Sequence, residues 1–201
     1  MRIAVLLSGR GTNLQALIEK VHGFDGEIVA VASDHEEAPG LRLARRADIL
    51  TRSFELAQFA DRSARDNAIA DWLDQNEVEL VVLAGYMALL DDSFIARFRD
   101  RIINVHPSLL PAFPGTRAVE LAVESGVKVF GVTVHLVDER IDTGPILLQR
   151  AIELPGYSDP TEVHKILQAI EHELLPEGVR LMIRGAVSRD PANPQRLIIE
   201  P

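Results

Sequence analysis

Apolar positions follow two rhythms along this chain. From residue 1 to about 106, short unbroken apolar runs alternate with stretches whose apolar residues recur every three to four positions. The runs at Arg2–Leu7, 26–33 and 79–84 suit strands buried on both faces of a parallel sheet, with a shorter strand at 49–53 and another at 101–106. The periodic stretches predict helices opening at 14–18 and covering 38–46, 62–75 and 91–98. In the third of these, Ala68, Ile69, Trp72 and Leu73 form the apolar stripe. Strictly alternating strands and helices predict right-handed crossovers in an α/β fold.

After residue 106 the rhythm changes. A helix is expected over 115–125. A strand follows at 128–137, with Thr133, His135 and Val137 on one face, and another at 146–154. Only a polar loop joins these two strands, which predicts an antiparallel hairpin and a mixed sheet. Asp159, Pro160 and Glu162 carry the signs of a helix start, and Val163, Ile166, Ile170 and Leu174 its core face. That helix is expected to stop before Pro176, with a second from about 177 to 184. Residues 191–201 read as a Pro-containing tail with a marginal strand at 197–199. No repeat or linker interrupts the 201 residues, so one domain over 1–201 is expected, with halves of about 1–100 and 101–201.

Composition narrows the function classes. Cysteine is absent, which excludes disulfides, Cys nucleophiles and thiolate metal sites. No apolar run approaches the roughly 20 residues of a membrane span, and the first run is too short for a signal peptide. A cytoplasmic protein is the expectation. The net charge of −9 makes nucleic acid a poor partner, while a small anion remains acceptable because it responds to local donors.

Two stretches carry candidate chemistry. Ser8-Gly9-Arg10-Gly11-Thr12-Asn13 lies between the first strand and the first helix. A Gly-rich turn at a helix N-terminus offers backbone N–H groups and positive partial charge to a phosphate. Leu14 stands where a dinucleotide fingerprint wants its third Gly, so a mononucleotide-type cradle is expected. The alternative is a tight turn capped by Thr12 or Asn13. Asp34, past the second strand, could hold a ribose hydroxyl or act as a cap. Residues 85–90 form an apolar turn, either packed under the next helix or serving as a wall for a flat ligand. The second stretch is Asn104-Val105-His106-Pro107. Asn104 and His106 share one strand face, Ile103 and Val105 the other, and Pro107 ends the pairing. An amide donor beside an imidazole suits acyl transfer, where one holds an oxyanion and the other moves a proton.

Four segments, 8–16, 83–87, 104–111 and 142–146, resemble the folate-dependent formyltransferases in order and spacing. The likeness is greatest to the branch acting on glycinamide ribonucleotide. It covers essentially the whole chain, and Asn104-Val105-His106-Pro107-Ser108-Leu109-Leu110-Pro111 with Asp142-Thr143-Gly144-Pro145 is its specific part. The resemblance implies a Rossmann-like formyltransferase fold, a mostly parallel twisted sheet with an antiparallel C-terminal portion and helices on both faces. It implies transfer of formyl from 10-formyltetrahydrofolate as cosubstrate, without a metal, in a monomer or homodimer acting on small molecules.

Residue by residue, it implies catalytic roles for Asn104, His106 and Asp142, supported by His135 and Ser108. Gly11, Thr12, Asn13, Pro107, Gln168 and Glu171 would hold the ribonucleotide. Arg62, the Met87-Ala88-Leu89-Leu90 segment, Asn104 and the Asp138-Glu139-Arg140-Ile141-Asp142 segment would meet the folate. The Leu110–Pro111 bond is expected cis. Asp142 is expected to favour the imidazolium form of His106.

The chain departs from the family at Ala88, Gln168 and 116–119, the last replacing a His-containing stretch. Competing readings are a methionyl-tRNA formyltransferase or a formyltetrahydrofolate deformylase, set back by the acidic surface and by the absence of an added domain in this sequence. A nucleotide-binding dehydrogenase using Gly9, Gly11 and Asp34 is a further alternative, as is a metal hydrolase using His106, His135 and Asp142.

Overall fold

The structure is a computed structural model and describes residues 1–200. The fold is α/β, with a mostly parallel mixed sheet of seven strands. The chain forms two compact units that part between Ile103 and Asn104.

In the first unit, β1 (Arg2–Leu7), β2 (Glu27–Ser33), β3 (Leu50–Ser53) and β4 (Leu80–Leu83) stand in the order β3-β2-β1-β4. β1 pairs in parallel with β2 and β4, and β2 with β3. Residues 3–7 and 80–83 are buried throughout, which is why those runs lack polar alternation. The helices are α1 (Thr12–Lys20), α2 (Pro39–Arg46), α3 (Arg62–Gln75) and α4 (Asp92–Arg97). A 3-10 turn at Leu56–Gln58 went unmarked by periodicity. Asp61 caps α3 by accepting from the Ala64 N–H at 2.8 Å, and Asp91 caps α4 through the Ser93 N–H at 2.8 Å. Ile69, Trp72 and Leu73 are buried as expected. Ala70 is buried with them, whereas Ala68 is only half-buried.

β5 (Ile102–His106) runs through the boundary into the second unit. That unit holds α5 (Ala118–Glu124) and the antiparallel pair β6 (Val129–Leu136) and β7 (Ile146–Glu153), as their short connection requires. The register of the pair slips between Val134 and His135. Such irregularities often re-aim a side chain.

Two expectations fail at the C-terminal end. First, α6 (Pro160–Ile183) is one helix of 24 residues and does not stop at Pro176. Its start is as expected, with Asp159 accepting from the Thr161 N–H at 2.8 Å. Pro176 removes one helical N–H, but Leu174, Leu175, Pro176, Gly178 and Val179 are all buried, so packing carries the helix past a local breaker. Gly178 lies so near β6 that a Cβ there would stand 2.9 Å from the Val134 side chain. Second, the tail is a two-stranded antiparallel sheet of β8 (Val187–Asp190) and β9 (Asn193–Ile199), longer than the three residues expected. Asp190 turns the chain by accepting from the Ala192 N–H at 2.8 Å. Among the described residues, no helix is long and apolar enough to cross a membrane.

Candidate active site

The site of the second unit starts with the alternation of β5. Ile103 and Val105 are buried on one face and Asn104 and His106 occupy the other. The turn after Pro107 is tied down by one hydroxyl. Thr133 Oγ1 donates to the Ser108 carbonyl at 2.7 Å, and accepts from the Leu110 N–H at 3.1 Å and from Gln149 Nε2 at 3.0 Å. Ser108 Oγ donates to the Ala112 carbonyl at 2.5 Å. Leu109 lies against Gly131, where a Cβ would collide with its side chain. The Leu110–Pro111 bond is cis.

Asp142 arrives from the loop between β6 and β7. Asp138 Oδ1 shapes that loop, accepting from the Arg140 N–H at 3.1 Å and the Thr143 hydroxyl at 2.7 Å. Gly144 passes so near the Leu136 carbonyl that any Cβ would overlap it, which explains the Gly of the Asp-x-Gly-Pro segment. Asp142 itself has φ +52, a left-handed conformation that Asp tolerates better than most residues.

Four side chains then meet. Asp142 Oδ2 stands 3.4 Å from His106 Nδ1, and Oδ1 stands 3.6 Å from His135 Nε2 and 3.4 Å from Asn104 Nδ2. The Gly115 N–H donates to Oδ2 at 2.7 Å. His106 Nε2 is 2.8 Å from the Phe113 carbonyl, and His135 Nδ1 is 2.8 Å from the Leu136 carbonyl. A carbonyl only accepts, so both of these ring nitrogens carry protons. The Asn104 amide nitrogen only donates, so His135 Nε2, 3.2 Å away, takes its hydrogen bond with a lone pair. His135 thereby sets which way the Asn104 amide faces.

Asp142 favours the imidazolium of His106 as expected, but a larger influence opposes it. Burial lowers the His106 pKa and outweighs the opposing pull of Asp142. The unliganded ring is thus held toward the neutral form, with its Nε2 proton already in place. For Asp142, burial is the largest single influence and acts upward. The neighbouring His135 ring, the Gly115 N–H and the His106 ring together overcome it, and the carboxyl lies below its ordinary range.

The other candidates stand as follows. In the first unit Gly11, not Thr12 or Asn13, is the N-cap of α1, with φ +80 and no side-chain cap. A glycine cap brings no side chain of its own to the first N–H groups of the helix. The turn presses on the start of α2, where a Cβ on Gly11 would stand 2.7 Å from the Gly40 Cα. Gly11→Ala should therefore lower the free energy of unfolding by about 1–3 kcal/mol, read from the midpoint of urea denaturation. Residues 85–90 divide: Tyr86 is buried, while Met87 and Leu89 are 58% and 54% exposed. Arg62 is exposed on the first turn of α3. Asp34 caps no helix, and its Oδ1 is buried without a hydrogen-bond partner.

In the second unit Glu171 is buried and Gln168 half-buried on α6. Glu139, Arg140 and Ile141 are exposed on the loop that ends at Asp142. Among the described residues, no group of three or more side chains is arranged to hold a metal ion. The Phe113 carbonyl and the Gly115 N–H escaped the sequence because backbone groups leave no mark in it. Arg65 and Asp66, buried on α3, could have been found. They lie four and three positions before Ile69, on the stripe that faces inward.

The chain matches the formyl transferase family model over residues 1–179. It is 37% identical to phosphoribosylglycinamide formyltransferase of Bacillus subtilis over 184 residues, 90% of this chain and 94% of that protein. It is 40% identical over 190 residues to the trifunctional purine biosynthetic protein adenosine-3 of Gallus gallus, 93% of this chain but only 19% of that much longer protein. The crystal structure of glycinamide ribonucleotide transformylase 1 from Symbiobacterium toebii superposes with a TM-score of 0.95 at 40% identity, over 100% of this chain and 94% of that one.

Proposed function

The chain belongs to the formyl transferase family, and on that premise we propose that it transfers the formyl group of 10-formyltetrahydrofolate to the amine of glycinamide ribonucleotide, a step of purine synthesis. The observation that carries this reading is the meeting of Asn104, His106 and His135 around the one carboxylate of Asp142. The substrate brings its own nucleophile, so no Ser or Cys is called on.

The neutral amine attacks the formyl carbon and the carbonyl electron pair moves to oxygen. Asn104 donates to that oxygen through its amide, whose direction His135 sets. His106 donates through Nε2–H, as a neutral imidazole in a buried site where a fixed donor counts for more than in water. Asp142 takes the proton that the amine loses, directly or through water. The tetrahedral centre then collapses: the bond from carbon to N10 breaks, N10 keeps the electron pair, and the proton is delivered there. The products are the formylated amine and tetrahydrofolate. The acyl group leaves with the amine and no covalent enzyme intermediate forms.

The binding roles follow the same reading. Gly11, Thr12 and Asn13 take the phosphate at the start of α1. Pro107, Gln168 and Glu171 hold the rest of the ribonucleotide. The backbones of 87–90 and 138–142 hold the pterin, with Arg62 near the folate. The protein then acts on small molecules in the cytoplasm as a monomer or homodimer, with the folate as a consumed cosubstrate and without a metal, nucleic acid or membrane.

The test offers glycinamide ribonucleotide and water together to the 10-formyltetrahydrofolate-loaded enzyme. Formylated ribonucleotide as the main product is expected. Release of formate at the same rate with and without the ribonucleotide would make the protein a deformylase.

A further inference from the structure

α3 carries an ion pair that its sequence position does not require. Arg65 and Asp66 are adjacent on the helix, and both are buried, at 3% and 0% exposure. Arg65 Nε donates to Asp66 Oδ1 at 2.8 Å, and its Nη2 lies 2.7 Å from the same oxygen. Neither residue spends its remaining capacity on α3. Arg65 Nη2 donates to the Leu89 carbonyl at 3.0 Å, and Asp66 Oδ2 accepts from the Asp91 N–H at 2.7 Å. The two outer contacts therefore fall on the chain between β4 and α4, two residues apart.

A third tie holds the other end of the same loop. Ser8 Oγ accepts from the Met87 N–H at 2.8 Å, and the Ser8 N–H donates to the Gly85 carbonyl at 3.0 Å. Met87, Leu89 and Asp91 are each fastened through a backbone atom, while the side chains of Met87 and Leu89 stay exposed. Asp91 in turn caps α4, so Asp66 places the residue that starts that helix. Stability is a poor explanation for the pair. Burial raises the Asp66 pKa despite Arg65 beside it, and a buried ion pair is often no more stabilising than an apolar pair of similar volume. What an apolar pair could not do is grip one carbonyl and one N–H of a loop whose side chains face water.

We propose that Arg65 and Asp66 are positioning residues that hold the backbone of 87–91 in the shape that receives the heteroaromatic ring of the formyl donor, and so set the affinity for that donor without touching it. This rests on the reading that 87–90 lines the folate pocket.

The test uses the double variant Arg65→Met/Asp66→Leu, which leaves no buried charge unpaired. The KM for 10-formyltetrahydrofolate should rise about tenfold, with kcat and the KM for glycinamide ribonucleotide within about twofold of wild type. Hydrogen exchange at the amides of 87–91 should quicken, while exchange in β1 and β4 stays slow. Should the double variant fold poorly, Arg65→Lys takes its place. The lysine ammonium keeps a charged partner for Asp66 but ends one bond short of the position from which Arg65 Nη2 reaches the Leu89 carbonyl. Unchanged exchange at 87–91 would overturn the proposal, as would faster exchange with an unchanged folate KM. Ala88→Glu separates this failure from that of the pocket reading. If 87–90 lines the pocket, this variant raises the folate KM whatever Arg65 and Asp66 do; if it has no effect, the pocket reading falls.

Discussion

His106→Ala should lower turnover by about 100- to 1,000-fold while leaving the affinity for both substrates within about threefold. The ring is buried and its Nε2–H is already held on the Phe113 carbonyl, so the donor is oriented before charge develops on the substrate. A donor of that kind strengthens as charge builds on the formyl oxygen and is weak toward the neutral carbonyl. Its loss should therefore appear in kcat and in kcat/KM alike. Asn104→Ala should behave in the same way, because the amide is the second donor. Steady-state kinetics at saturating ribonucleotide, with circular dichroism to confirm the fold, decides the matter. Turnover within tenfold of wild type in either variant would remove that residue from the oxyanion site.

Asp142→Asn tests the other half of the chemistry and should cut turnover by about 100-fold or more, the usual contribution of a placed proton acceptor. Asparagine is nearly isosteric and can still accept from the Gly115 N–H, so the loop should keep its shape. The variant also has an effect that a structural role would not produce. In the wild type the carboxylate raises the His106 pKa against the burial that lowers it. Without it the His106 pKa should fall further, which a proton NMR titration of the ring would follow.

Stability should respond to pH with the same logic. Asp142 is depressed below the ordinary carboxylate value of about 4, so its contribution is present above that value and is lost as pH falls toward the native pKa. His106 is depressed below about 6.5, so the unfolded chain takes up its proton first and stability falls as pH drops from there toward the lower native value. Both slopes run the same way, the carboxylate's below about pH 4 and the imidazole's below about pH 6.5, so the wild type should gain stability from about pH 2 to pH 7. In Asp142→Asn the carboxylate portion of that gain disappears and the imidazole portion widens. Urea midpoints across the range would show both changes.

How much of this could be read from the sequence depended on whether the signal was local. The parallel strands were legible because buried runs such as 79–84 leave no room for alternation. The pairing of residues 104 and 106 was legible in one shared strand face, and the place of Asp142 beside them was implied only by the family resemblance. Pro176 misled because a local breaker was outweighed by burial of its neighbours on α6. The imidazolium expected at His106 ignored desolvation, which depends on packing that no short window reveals. The alternative of a cap at Thr12 or Asn13 rests on the side-chain preferences of capping positions, whereas Gly11 has the backbone freedom the turn needs. Arg65 and Asp66 were passed over because charged residues on a helix usually face water, although their spacing to Ile69 and Trp72 placed them inward.

The Phe113 carbonyl on His106 Nε2 has a thermodynamic meaning of its own. A peptide oxygen resembles the oxygen of an unreacted formyl amide in charge and basicity. Trading one for the other is close to an even exchange, so the imidazole adds little grip on the resting cosubstrate. An alkoxide is a far stronger acceptor than either, and only its appearance makes the trade downhill. A protein loop standing in for the ground state thus reserves the donor for the species at the top of the barrier.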